Sequence, residues 1–149
     1  MKWIIKLRGE CELLNIDLDN RVTIITGAAS GIGCEIATMF ARNDSIVVIG
    51  DIDVQEGENV VAQIQRSGKR AKFIKTDVSI PQETAEMAKT VFDEYGRIDI
   101  LINNAGINVN IKDRAPIYDF SESIWKKIVN VDLDGVFNCS KAVIPYMIK

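Results

Sequence analysis

Eight residues, Thr26-Gly27-Ala28-Ala29-Ser30-Gly31-Ile32-Gly33, constrain this chain more than any other segment. They stand between a β-branched run, Val22 to Thr26, and a helical-period stretch, Gly31 to Asn43. In that stretch Ile32, Ile36, Met39 and Phe40 recur on one face at i, i+4, i+7 and i+8. Glycines here permit positive φ and close approach of a ligand to the backbone. The unpaired N–H groups at the helix start, reinforced by the helix dipole, favour a pyrophosphate. The spacing is G-x-x-x-G-x-G, distinct from the common G-x-G-x-x-G turn, and no Gly-Lys-Ser/Thr follows to make a nucleoside-triphosphate loop. A glycine cluster taken alone is equally a tight turn without ligand.

The alternation of short apolar runs and helical periods continues downstream. Ile46 to Gly50 reads as a second strand, apolar enough to be buried on both faces. Gln55 to Arg66 reads as a helix turning Val60, Val61 and Ile64 inward, with Gly68 as its stop. Lys72 to Thr76 is a third strand. Pro81 opens a helix that runs to Tyr95 and closes at Gly96, and Ile98 to Ile102 is a fourth strand. After a loop containing Pro116, Ser121 caps a long final helix with Glu122 in its first turn. Pro145 kinks or ends that helix. This order predicts an α/β fold, a Rossmann-like doubly wound parallel sheet with right-handed crossovers, truncated after about four strands. Residues 1–17 form an extension of unknown structure: an edge strand, a short helix and disorder all suit them.

Composition narrows the function classes. At 149 residues, with 47% hydrophobic and 26% charged, the chain can bury a core and reads as a soluble domain. A net charge of −3 gives no general attraction for nucleic acid or anionic membrane surfaces. No apolar run approaches the ~18 residues of a membrane span. Lys6 and Arg8 interrupt the opening apolar stretch before a signal-peptide core can form, so the expected location is cytoplasmic. Cys11, Cys34 and Cys139 are widely spaced and odd in number, which excludes a disulfide framework. The absence of histidine removes the commonest metal ligand and general base, so no metal site is expected.

Two features favour a ligand over a bare turn. Asp51 ends the second strand, where a carboxylate can accept hydrogen bonds from the adenosine ribose hydroxyls and repel a 2′-phosphate. Ser30 is small and neutral where an arginine could have paired with that phosphate, so both residues point to NAD over NADP. The alternative for Asp51 is a solvated turn residue, of which Asp53 is an example. Asp77-Val78 follows the third strand and Asn103-Asn104-Ala105-Gly106 the fourth. All these segments fall at the C-terminal ends of strands, where ligands bind in doubly wound sheets.

The T-G-x-x-x-G-x-G turn at 26–33, Asp51, Asp77-Val78, N-N-A-G at 103–106 and Asn130-Val131-Asp132-Leu133-Asp134-Gly135-Val136-Phe137 together resemble the short-chain dehydrogenase/reductase family, over residues 18–149. The stretch Lys141-Ala142-Val143-Ile144-Pro145-Tyr146-Met147 is similar to its 3-oxoacyl-carrier-protein reductase and sugar/alcohol dehydrogenase branch. The resemblance implies a partial NAD(P)-binding Rossmann domain in an NAD-dependent oxidoreductase that moves hydride between nicotinamide and an alcohol or carbonyl. It implies that Gly27, Ser30, Gly31, Ile32 and Gly33 line the pyrophosphate and nearby ribose, and that Asp51 holds the adenosine ribose. Asp77 and Val78 flank the adenine, and Asn104, Ala105 and Gly106 pass along the cofactor. Asn130 matches the family's helix asparagine, which helps to hold a water in the proton relay; its plainer role is to satisfy a local helix irregularity.

The family delivers its proton from a tyrosine in Tyr-x-x-x-Lys, where i and i+4 share a helix face. Position i+4 is Asp99 after Tyr95 and Glu122 after Tyr118, and Tyr146 stands three residues before Lys149. The catalytic serine, tyrosine and lysine are therefore expected to be missing from this stretch, which leaves it inactive alone. The strand Ile98–Ile102 and the final helix, with Ile124, Ile128 and Val131, would then be uncovered and promote self-association or a homo-oligomer. The competing readings are a non-catalytic NAD(H)-binding module and an inactive truncated gene product.

Overall fold

The computed structural model describes residues 3–7, 10–14 and 18–148. The chain opens with two antiparallel strands, β1 (Trp3–Leu7) and β2 (Glu10–Leu14), paired from Trp3↔Leu14 to Leu7↔Glu10 in a sheet of their own. The rest of the 1–17 extension lies outside the described residues.

The five residues of β3 (Val22–Thr26), all β-branched, are all buried, because helices cover both faces of this strand. It lies between β4 (Ile46–Asp51) and β6 (Ile100–Ile102), with β5 (Ala71–Lys75) outside β4, so the sheet order is β5-β4-β3-β6. All three pairings are parallel, in registers such as Ile24↔Val48, Ile24↔Leu101 and Val48↔Lys72. Helices α1 (Gly31–Arg42), α2 (Val54–Arg66) and α3 (Pro81–Tyr95) make the crossovers.

Strand alternation divides the core in two. Ile25, Val47 and Ile49 point to the face of α1 and α2, where they meet Ala37, Ala41, Val60 and Ile64. Ile24 and Val48 point to the other face, toward Met87, Ala88 and Val91 of α3 and toward Cys139 and Val143 of the last helix. Phe92 and Tyr146 join those two helices with ring centroids 4.8 Å apart. At the lower edge Asp99 accepts from the Val22 backbone N–H (2.8 Å) and from Arg97 Nε (2.8 Å) and Arg21 Nη1 (3.1 Å). Burial raises the Asp99 carboxyl, but these bonds outweigh it and hold the group below the usual carboxylate range.

Several expectations need correction. The face of α1 against the sheet is Gly33, Ala37 and Ala41. Those small residues let the helix lie close, so Ile36 and Phe40 pack at its flanks and Ile32 is 75% exposed. Strand β5 starts one residue earlier than the apolar pattern suggests. Strand β6 is only three residues long, with Ile98 buried below it. The long final helix is broken into α4 (Glu122–Val129), a π-helical segment Asn130–Asp134, and α5 (Gly135–Met147). A π turn widens the helix by one residue and rotates the faces of the downstream turns. Ile124, Ile128 and Val131 are accordingly half-buried, while Trp125, Leu133 and Phe137 are the exposed residues. Ser121 makes no side-chain cap, bonding instead to the Ser123 hydroxyl (2.9 Å). Pro145 lies in the last turn of α5, so it ends that helix.

Candidate functional site

The chain steps from β3 to β4 to β5 in one direction, then α3 returns it to the other side of β3. Loops leaving β3 and β6 diverge at that reversal, and a crevice results above the strand ends. The cleft there has a volume of ≈540 Å³ and takes lining residues from the turns after all four strands, within the range of about 300–1,000 Å³ typical of small-molecule sites.

In the glycine turn, Gly27 (φ +66°) donates to Gly50 O (2.8 Å), and a Cβ on it would lie 2.6 Å from Ala105 Cα. Gly33 serves packing: a Cβ there would lie 2.3 Å from Gly27 O and 2.5 Å from Asn104 Nδ2. Gly27, Ser30 and Ile32 line the cleft, whereas Gly31 and Gly33 do not. Gly31 (φ +55°) faces the outer side, and Gly33 faces the turn itself. Helix α1 starts without a side-chain cap and without an acid in its first turn. Helix α2, by contrast, is capped by Asp53, which accepts from Glu56 N (3.0 Å). The N–H groups that open α1 therefore stay available to an anion.

Thr26 and Asn104 fix the turn against the loop after β6. The Thr26 hydroxyl oxygen accepts from the N–H groups of Asn104 and Ala105, both at 3.1 Å. The Asn104 amide donates to the carbonyls of Thr26 (3.1 Å) and Gly27 (2.9 Å). Asn104, Ala105 and Gly106 all line the cleft, but the Asn104 side-chain donor is spent on the protein.

The Asp51 carboxylate lines the cleft and accepts from Ala29 N (2.9 Å) and Asp53 N (3.0 Å), which ties the glycine turn to the end of β4. Asp77 and Val78 line it too; Asp77 Oδ1 accepts from both Ser79 N (2.9 Å) and Ser79 Oγ (2.7 Å). Asn130 is exposed, lines the cleft and begins the π-helical segment. Such segments recur at functional sites because they re-aim side chains. Among the described residues Lys127 is the cation lining the cleft, together with the two acids Asp51 and Asp77.

Thr26 and Asp132 stand in the sequence motifs without a role that pattern alone could give them, and Lys127 carries no pattern signal at all. Asp132 accepts from Ile107 N (2.9 Å) and so joins the π segment to the loop after β6. None of Tyr95, Tyr118 and Tyr146 lines the cleft. Burial, followed by the bond to Glu94, pushes the Tyr95 phenol up to about 12, and burial pushes the Cys139 thiol up to about 11. Both stay neutral at pH 7. No cluster suited to a metal ion and no helix long and apolar enough to cross a membrane occurs among the described residues.

Known proteins resemble this chain in both sequence and fold. The family model for short chain dehydrogenases matches residues 21–149. The 3-oxoacyl-[acyl-carrier-protein] reductase of Thermotoga maritima is 36% identical over 132 residues, which is 89% of this chain and 52% of that protein. Meso-2,3-butanediol dehydrogenase of Serratia marcescens is 36% identical over 131 residues, 88% of this chain and 50% of that protein. The crystal structure of a short chain dehydrogenase/reductase from Burkholderia phymatum in complex with NAD superposes with a TM-score of 0.83 at 26% identity, covering 89% of this chain and 46% of that one. The chain thus spans about half the length of the curated relatives it matches.

Proposed function

The chain belongs to the short chain dehydrogenase family, and on that premise we propose that its cleft binds NAD in an oxidoreductase acting on an alcohol or carbonyl. The observation that carries this reading is the uncapped start of α1 opening on a cleft that also holds the Asp51 carboxylate. Bound there, NAD supplies the nicotinamide that accepts or returns a hydride.

This chain's residues bind and orient. The N–H groups at the start of α1 meet the pyrophosphate, with Gly27, Ser30 and Ile32 beside it and Gly31 and Gly33 shaping the turn. Asp51, already held by Ala29 N and Asp53 N, keeps acceptor capacity for the ribose hydroxyls. Its charge disfavours a 2′-phosphate, hence NAD over NADP. Asp77 and Val78 flank the adenine, with the carboxylate toward the exocyclic amine. Asn104, Ala105 and Gly106 form the opposite wall, and Asn130 stands at the mouth to hold a water.

Titration of the protein with NADH and NADPH, followed by nicotinamide fluorescence, tests this. NADH is expected to bind at least about tenfold more tightly, and Asp51→Ser to narrow that gap. Tighter binding of NADPH would overturn the preference, and failure to bind either would overturn the site.

A further inference from the structure

Helix α5 buries one amide in an otherwise apolar surface. Asn138 is 9% exposed, the polar side chain among the buried residues of α5, which are otherwise Gly135, Cys139 and Val143, and burying an amide costs free energy unless it is hydrogen-bonded. Its Nδ2 donates to the carbonyl of Val78 at 3.0 Å, sixty residues away in sequence. Gly135, one turn earlier, leaves the space that the Val78 side chain occupies: a Cβ there would lie 2.7 Å from Val78 Cγ2. Val78 is thus held by its side chain and by its carbonyl, both from α5.

The backbone polar groups around Val78 are almost all satisfied within the protein. Asp77 N donates to Glu83 Oε2 (2.7 Å), Ile80 N to Asp77 O (3.0 Å), and Ser79 N to Asp77 Oδ1 (2.9 Å). The Val78 carbonyl takes Asn138. The N–H of Val78 meets no acceptor among the described residues, although Val78 is only 6% exposed and lines the cleft. An N–H without a protein partner at the wall of a cleft is free to donate to a ligand acceptor. Next to it stands the Asp77 carboxylate, an acceptor. A donor beside an acceptor matches the ring nitrogen and exocyclic amine on one edge of adenine.

We propose that Asn138 is a positioning residue for adenine recognition: by holding the Val78 carbonyl toward α5, it presents the Val78 N–H to the ring nitrogen. This rests on the reading of the cleft as the NAD site. The amide is kept in the core for the orientation it imposes on a neighbouring peptide, and the ligand contact is made by Val78, not by Asn138.

The test compares NADH with reduced nicotinamide hypoxanthine dinucleotide, whose ring carries an N–H where adenine has a bare nitrogen. Dissociation constants are measured for the full chain and for Asn138→Leu, with Gly135→Ala as an independent displacement of Val78. The unaltered protein is expected to prefer NADH. Asn138→Leu should weaken NADH by about tenfold and leave the hypoxanthine form nearly unchanged, so that the preference collapses. Gly135→Ala should reduce the same preference. Equal weakening of both dinucleotides, or an undiminished preference in Asn138→Leu, would overturn the proposal while leaving the site intact. Failure of the unaltered protein to bind either dinucleotide would remove the NAD reading beneath it. Should Asn138→Leu not fold, Asn138→Ser carries the same comparison with the same outcomes.

Discussion

Replacing Gly33 by alanine is expected to cost far more than replacing Gly31, although the two stand two residues apart in one turn. At Gly33 the added Cβ would lie 2.3 Å from Gly27 O, 2.5 Å from Asn104 Nδ2 and 2.9 Å from Ala28 Cα. Two of those atoms are backbone and cannot swing aside, so α1 must move off the turn, an overpacking cost of about 1–3 kcal/mol. The displaced Asn104 amide then loses its bonds to Thr26 O and Gly27 O, about 1 kcal/mol each. The total is about 3–5 kcal/mol. At Gly31 the Cβ meets nothing within 4 Å, and only its φ of +55° is unfavourable, about 1–2 kcal/mol before the better helix propensity of alanine is counted. Urea denaturation of both variants reads the difference. With a slope of about 1.5 kcal/mol/M, the Gly33→Ala midpoint should fall by ~2 M or more and the Gly31→Ala midpoint by less than about 1 M. NADH affinity should fall with Gly33→Ala as the turn deforms. Equal midpoints for the two variants would refute the assignment of Gly33 to packing and Gly31 to backbone conformation.

Thr26→Val keeps the shape of the side chain but leaves the N–H groups of Asn104 and Ala105 without their acceptor; a loss of about 2–3 kcal/mol is expected, with Thr26→Ser restoring most of it in the same melt. Asp99→Asn should destabilise by about 1 kcal/mol: the amide oxygen still accepts from the Val22 N–H but without the carboxylate's charge, and the arginine partners, half exposed and screened, add little. The Asp99 pKa is lower in the folded protein, so its stabilisation is complete above the unfolded carboxylate pKa of about 4 and is lost as pH falls through the folded value. The gap between the unaltered protein and Asp99→Asn in acid denaturation should therefore shrink below about pH 4, and a gap independent of pH would contradict it.

Local pattern sufficed where the physics is local. The β-branched run at 22–26 is β3, Pro81 and Gly96 bound α3 as their backbone preferences require, and the glycine turn opens α1. The turn after each strand and the acid that ends β4 were legible because the βα order alone places the C-terminal strand ends at one edge of a parallel sheet. The face of α1 was not: hydrophobicity favours Ile32 and Met39, but contact distance selects Gly33, Ala37 and Ala41. Periodicity does not register that a small residue permits close approach. A local helix irregularity at Asn130 was legible as that residue's plainer role, but the π turn over Asn130–Asp134 and the division into α4 and α5 were not, since these residues have ordinary helical periodicity.

The sequence by itself determined the family, the parallel α/β order and the end of the sheet at which the cleft lies, because these depend on short-range periodicity and motifs a few residues long. Only the tertiary structure decided how the polar groups in and behind the cleft are spent. Thr26 supports a loop 78 residues away, Asn104 clamps the turn and Asn138 holds Val78. A hydroxyl or amide can bond in many places, and which partner it takes is fixed by the approach of distant segments that one-dimensional pattern does not contain.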